Sequence, residues 1–215
     1  MKILIATNNP SKVREMIAVL GEGAGAIQWE SLADVGRAIA EPVEDGATFA
    51  ENADLKARYY SKAAGMWALA DDSGLEVDAL GGEPGVHSAY YAREFADRPR
   101  AERDAANNAK LISALTGVPV EKRAARFRCT LVVADGERIV ATAEGHVEGV
   151  IIDEPRGNGG FGYDPHFMIP SLGKTTAELT SDEKNRISHR GRALRELCSG
   201  LRQAFVSGNN IIQST

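Results

Sequence analysis

Apolar and polar positions along the chain change period several times, and each change marks an element. Lys2 to Ala6 is a short unbroken apolar run, as expected of a strand covered on both faces. After it, Val13, Met16, Ile17 and Leu20 recur at helical spacing. Asn9 is placed to cap that helix, Pro10 suits its first turn and Gly21 its end. A second strand fits Ile27 to Glu30. Thr48-Phe49-Ala50-Glu51 has the spacing of a capping box, predicting a helix to Ala64 with Gly65 just beyond it. Met66 to Ala70 reads as another covered strand, ending in a turn at Asp71-Asp72-Ser73-Gly74. A helix is predicted over Arg100 to Leu115, with Ala105, Ala109, Ile112 and Leu115 near one face. Arg126 to Ala134 and Arg138 to Val150 alternate with period two around Asp135-Gly136, which predicts a hairpin. A glycine-rich loop, Gly157 to Gly162, precedes a short strand at Phe167 to Ile169. Thr180 to Glu183 is a second capping box. The last helix follows Ser188, with Leu194, Leu197, Cys198, Leu201 and Phe205 on one side. Residues 1–206 form one domain in this reading, and 207–215 a frayed tail. Helices alternate with strands and then a hairpin intervenes, so the class is α/β with a mixed β-sheet.

Composition narrows the function. With 43% hydrophobic residues in 215, the chain has enough apolar material to fold. It has no apolar run long enough to span a membrane. Lys and Arg number 25 against 30 Asp and Glu, a net charge of −5, which disfavours a nucleic-acid polymer as partner. Taken alone, that charge also disfavours an anionic small molecule. Two cysteines, Cys129 and Cys198, make no disulfide framework and read as free thiols. With no secretory signal at the N-terminus, the expected setting is cytoplasmic.

Five polar clusters contradict the inference from charge. Thr7-Asn8-Asn9-Pro10-Ser11-Lys12 joins a strand to a helix N-terminus, whose free N–H groups and dipole suit a phosphate. It lacks the glycine pattern of a Walker loop. Asn52 and Lys56 share a helix face, and Glu44 lies before that helix. Asp71 and Asp72 follow a covered strand, where carboxylates can hold a hard cation such as Mg²⁺ or orient a water. Gly157 to Gly162 formally matches a dinucleotide loop, but Pro165 follows and no helix starts there. Phe161 and Tyr163 instead suit base stacking, with Asp164 as a polar reader. Finally, Lys184 and Ser188-His189-Arg190 place cations at helix starts, against the dipole, which suggests a role elsewhere. Each cluster has a plain structural explanation by itself: a solvated lysine, a loop carboxylate, a turn. Arg93 to Arg103 carries mixed charges without a motif and reads as solvated surface.

Together, Thr7 to Lys12, Gly46-x-Thr48-Phe49-x-Glu51-Asn52, Ala70 to Leu75, Gly159 to Pro165 and Ser188 to Gly191 closely resemble the inosine/xanthosine triphosphate pyrophosphatase family, in order and over nearly the whole chain. The resemblance implies a long mixed sheet flanked by helices, two lobes around a central cleft, and a homodimer. It implies Mg²⁺-dependent hydrolysis of ITP, dITP and XTP to the monophosphate and pyrophosphate, cleansing the nucleotide pool. Carried onto this chain, Asn9 and Lys12 would hold the phosphate end and Lys56 further phosphates. Glu44 and Asp72 would bind Mg²⁺, with Asp72 also the base, and Ser73 would contact substrate. Phe161 would stack on the purine, within a substrate-binding set that includes Gly162 and Tyr163. Asp164, Lys184, His189 and Arg190 would complete base and ribose–phosphate recognition. Asn8 stands where the family often has glycine. The alternatives are a pyrophosphatase for other nucleotides such as dTTP, and a catalytically silent purine-nucleotide-binding regulator.

Overall fold

A computed structural model describes residues 1–23 and 27–212. In chain order it contains β1 (Lys2–Ile5), α1 (Pro10–Gly23), β2 (Gln28–Ser31), α2 (Phe49–Ala64), β3 (Trp67–Val77), α3 (Arg100–Ala114), β4 (Ala124–Asp135), β5 (Arg138–Ile151), β6 (Phe167–Ile169), β7 (Lys174–Thr175), α4 (Ser181–Ile187) and α5 (His189–Ile212). Short 3₁₀ turns connect several of these. The strands form one sheet in the order β2-β1-β3-β4-β5-β6-β7. It is mixed: β1 pairs in parallel with β2 and β3, whereas β6 is antiparallel to both β5 and β7. No helix among the described residues is long and apolar enough to cross a membrane.

The local signals act as expected where their causes are local. Asn9 Oδ1 accepts from the Ser11 and Lys12 amides at 3.0 and 3.4 Å, capping α1. In α2, Thr48 Oγ1 accepts from Glu51 N at 3.1 Å while Glu51 Oε2 accepts from Thr48 N at 3.3 Å. Gly65 ends that helix at φ 68°. The second capping box, Thr180 with Glu183, starts α4. The last helix runs to Ile212, into the segment expected to fray; residues 213–215 and the Phe205 side chain lie outside the described set.

Three expectations fail through tertiary context. Asp71-Asp72-Ser73-Gly74 is not a turn but the middle of β3, an eleven-residue strand. Its charges are neutralised by residues distant in sequence, so the backbone has no reason to leave the sheet. On α3 the buried positions are Asn107 and Leu111, followed by Leu115, while Ala105 and Ala109 are exposed. Asn107 is polar yet buried, because its Oδ1 accepts from Ala92 N at 2.8 Å and its Nδ2 donates to Ser88 O and Ala89 O. On α1 Ile17 is likewise exposed, and Val19 is buried in its place.

The chain divides into two compact units. The first comprises Met1–Asp72, Cys129–Gly145 and the chain from Arg190 onward; the second comprises Ser73–Arg128 and His146–His189. In the first unit, Ile3, Ile5 and Leu69 pack with Met16 and Leu20 of α1 and Leu194 and Leu197 of α5. On the opposite strand parity, Leu4, Ala68 and Ala70 pack with Ala53, Ala57 and Tyr60 of α2. The second unit has its own core, including Leu75, Leu111, Phe127, Ile151, Tyr163 and Phe167.

Candidate active site

Strand geometry explains why two adjacent acids persist in β3. Successive side chains point to opposite faces. Asp71 shares the parity of Leu69 and meets cations from α1 and α5. Asp72 shares the parity of Ala68 and Ala70 and meets α2. Lys12 Nζ lies 3.1 and 3.0 Å from the two Asp71 oxygens, and Arg190 donates Nε and Nη2 to Asp71 Oδ2 at 3.3 and 3.1 Å. Arg190 also pairs with Glu15. Burial alone would raise the Asp71 pKa, but Lys12, Arg190 and Lys56 outweigh it and hold the carboxyl well below its ordinary range.

Asp72 has a different balance. Lys56 Nζ donates to Asp72 Oδ1 at 2.8 Å and to Glu44 Oε2 at 2.7 Å. Asn52 Nδ2 is 3.4 Å from Asp72 Oδ2. Burial pushes the Asp72 pKa up despite the Lys56 charge, which makes the carboxylate more basic than an exposed one. Lys56 is itself buried; burial works against its charge, but Asp72, Asp71 and Glu44 keep it protonated beyond the ordinary lysine range. The Glu44 loop is held by Asn52 Oδ1, which accepts from Gly46 N at 2.8 Å. A Cβ on Gly46 would stand 2.6 Å from that oxygen and 2.8 Å from Glu51 Cβ, so only glycine fits.

The junction before α1 is partly exposed. Thr7 Oγ1 accepts from Asn9 N at 3.2 Å, and Asn8 Nδ2 donates to Glu41 Oε1 at 2.9 Å. Pro10 is exposed, and Ser11 Oγ accepts from Arg14. Thus the first unit gathers two clusters on opposite sides of β3: Lys12, from the Thr7 to Lys12 junction, and Arg190 on Asp71, and Glu44 and Lys56 with Asp72.

The second unit holds the aromatic loop. Phe161 is half-buried, with Lys184 Nζ 4.9 Å and the Arg100 guanidinium carbon 4.7 Å from its ring centroid. Asp164 is turned inward. Its Oδ2 accepts from Phe161 N and Lys184 Nζ, both at 2.7 Å, and its Oδ1 accepts from Thr176 Oγ1 at 2.7 Å. Gly160, at φ 73°, makes room for this: a Cβ there would lie 2.0 Å from Asp164 Oδ2. Tyr163 is not offered for stacking. It is buried in the core, and its hydroxyl donates to Ser88 O at 2.8 Å. His189 stacks on Phe127, with ring centroids 5.0 Å apart. Ser73 is half-buried and follows Asp72 in β3.

Sequence reasoning misses two sets of partners. It groups Asp71 with Asp72 as one cluster, although strand parity separates them. Arg100, Asp104 and Asn108, which contact the Phe161–Gly162 segment, are spaced at four residues along α3. That periodicity is the available signal, but nothing in it names the loop they meet.

A sequence profile of the Ham1 family matches residues 3–200. The dITP/XTP pyrophosphatase of Thermus thermophilus is 51% identical over 197 residues, covering 92% of this chain and 90% of that protein. That of Bacillus subtilis (strain 168) is 51% identical over 195 residues, covering 90% and 93%. Among solved structures, a HAM1 protein from Coxiella burnetii superposes with a TM-score of 0.82 at 39% identity, covering 94% of this chain and 99% of that one.

Proposed function

The chain belongs to the Ham1 family, and from that premise we infer that it hydrolyses non-standard purine nucleoside triphosphates, dITP, ITP and XTP, to the monophosphate and pyrophosphate. The observation that carries the reading is the 51% identity, over 197 and 195 residues, to proteins named dITP/XTP pyrophosphatase, on top of the Ham1 profile match over residues 3–200. Site chemistry supports it. In the first unit a capped helix N-terminus, Lys12 and Lys56 provide for the phosphates. In the second, half-buried Phe161 with Lys184 beside it provides a platform for the purine, Asp164 holds the Phe161 amide and Lys184, and His189 is assigned to base and ribose–phosphate recognition.

The cofactor implied is Mg²⁺, which Glu44 and Asp72 would hold. The donor chemistry fits: two carboxylate oxygens already converge on one cation, the Lys56 ammonium, at 2.7 and 2.8 Å. Among the described residues no group of three or more His, Cys, Asp or Glu could hold a metal by itself. A hard cation that keeps several waters would need only the two acids from the protein. When bound, Mg²⁺ would offset charge on the phosphate oxygens. Asp72, made more basic by burial, orients and deprotonates the attacking water. Lys56 holds Asp72 and Glu44 in register and faces the phosphates. Lys12 and Arg190 keep Asp71 ionised and buried, so β3 continues through both acids. Phe161 supplies stacking, Gly162 adjoins it, Ser73 contacts the substrate, and base-edge hydrogen bonds discriminate against adenine.

The same reading carries a homodimer in a cytoplasmic setting; light scattering tests the former. The functional test is a panel of dITP, ITP, XTP, dTTP, GTP and ATP with Mg²⁺, measuring pyrophosphate and inorganic phosphate separately. Pyrophosphate from the first three, well above the rest, is expected. Preference for dTTP, or tight ITP binding without product, would overturn the reading.

A further inference from the structure

The mixed-charge segment that showed no motif leads into α3, and one stripe of α3 grips the loop that carries Phe161. Arg100, Asp104 and Asn108 are four residues apart and so lie on one helix face. Asp104 Oδ2 accepts from the Gly162 amide at 3.1 Å and lies 3.5 Å from Arg100 Nε. Asn108 Nδ2 donates to Gly162 O at 2.9 Å and to Asp104 O at 3.0 Å. Both polar backbone groups of Gly162 are therefore taken by consecutive turns of one helix. The Arg100 guanidinium carbon lies 4.7 Å from the Phe161 ring centroid. From within the loop, Asp164 Oδ2 takes the Phe161 amide at 2.7 Å.

The loop is glycine-rich and only partly holds itself. Gly159 and Phe161 are tied by their amides to Ala177 O at 2.9 Å and Asp164 Oδ2 at 2.7 Å, whereas the backbone groups of Gly162, at φ 62°, are taken from α3. A stacking ring on such a loop would lose binding energy to ordering when the purine arrives. Fixing residues 161 and 162 beforehand removes that loss. We propose that Asp104 and Asn108 are positioning residues that pre-organise Phe161 as the purine platform. They act through Gly162 and without touching substrate. The proposal rests on the reading of Phe161 as the stacking residue, and the test separates the two.

The experiment is steady-state kinetics on dITP with Asp104→Ala, Asp104→Asn, Phe161→Ala and the double variant Asp104→Ala/Phe161→Ala. Inorganic triphosphate, which has no base, serves as competitive inhibitor. Loss of one or two hydrogen bonds predicts a KM about five- to tenfold higher for Asp104→Ala, with kcat within about twofold. The Ki of inorganic triphosphate should stay unchanged, because the phosphate groups are not disturbed. Asp104→Asn keeps an oxygen acceptor and should restore most of the KM. In the Phe161→Ala background, Asp104→Ala should add little. An unchanged KM in Asp104→Ala, while Phe161→Ala raises it, would overturn the positioning role alone. An unchanged KM in Phe161→Ala would remove the stacking reading and the proposal with it. A Ki that rises in step with KM, or full additivity in the double variant, would also overturn it. Should Asp104→Ala fail to fold, Asn108→Ala is read in its place, with the same expectations.

Discussion

Arg190→Met tests how the acids of β3 are kept in place. Arg190 and Asp71 side chains are 2% and 1% exposed, and their contacts are 3.1 and 3.3 Å. Removing one partner of a buried pair costs about 3–5 kcal/mol, because the remaining charge is left without compensation. Here Lys12 stays within 3.1 Å of both Asp71 oxygens, and Glu15 is partly solvated, so the low end, about 3 kcal/mol, is expected. Both tryptophans, Trp29 and Trp67, belong to the first unit, so their fluorescence reports its unfolding. With a urea slope of about 2 kcal/mol per molar, the midpoint should fall by roughly 1.5 M at pH 7. Adding Asp71→Asn removes the charge that needs a partner, so the double variant should lose clearly less than the sum of the single losses. The pH dependence has a definite sign. The Asp71 pKa is depressed in the wild type, so its contribution is full above the ordinary value of 3.8 and fades as pH falls below it. The gap between wild type and Arg190→Met should therefore narrow towards acid. A midpoint shift under about 0.3 M, or strict additivity of the two changes, would refute the pairing as the reason the acids are tolerated.

Three further outcomes follow from the geometry. Gly46→Ala should push Asn52 and the Glu44 loop apart, lowering stability by about 1–3 kcal/mol and raising the Mg²⁺ concentration for half-maximal activity; an unchanged metal titration would count against the loop's role. Asn107→Ala strands the Ala92 amide and should destabilise the second unit by about 2–4 kcal/mol in a hydrogen-exchange or melting experiment, whereas a loss under about 0.5 kcal/mol would mean the site relaxes. Burial, with Asp71 nearby, pushes the Cys129 thiol up to about 12, and Cys198 is raised by burial too. Native protein at pH 8 should therefore react slowly with Ellman's reagent and release two equivalents only on unfolding; fast labelling of either would contradict the buried placement.

What could be read from the sequence divides by the range of the cause. Capping of α1, α2 and α4, the αL glycine at 65 and the hairpin around Gly136 depend on neighbours in the chain, and each signal carries its own physics. The buried strand through Asp71 and Asp72 depends on Lys12, Lys56 and Arg190, which lie 59, 16 and 119 residues away from their partner acids. Until those cations are placed, Asp-Asp-Ser-Gly has the composition of a turn. Asn107 shows the same limit: its burial is sensible only once Ser88, Ala89 and Ala92 supply its partners. The candidate site was legible as a set of residue types, but the division of labour within it was not. Asp164 and Tyr163, which the sequence offers as recognition groups, turn inward to hold the loop, while Asp104 and Asn108, which carry no motif, hold it from α3.

The net charge of −5 also takes its place here. Cations useful for phosphates are few and local, and several are already balanced by buried acids. An acidic excess of this kind works against a nucleic-acid polymer more than against a free nucleotide.

In the proposed mechanism Asp72, buried and bridged by Lys56, activates water for release of pyrophosphate. Its most direct test is pyrophosphate production from dITP by Asp72→Asn, with thermal melting in parallel. The expected result is a fall in kcat of at least about a hundredfold in a protein that still melts cooperatively. Turnover within a few-fold of wild type would contradict the assignment.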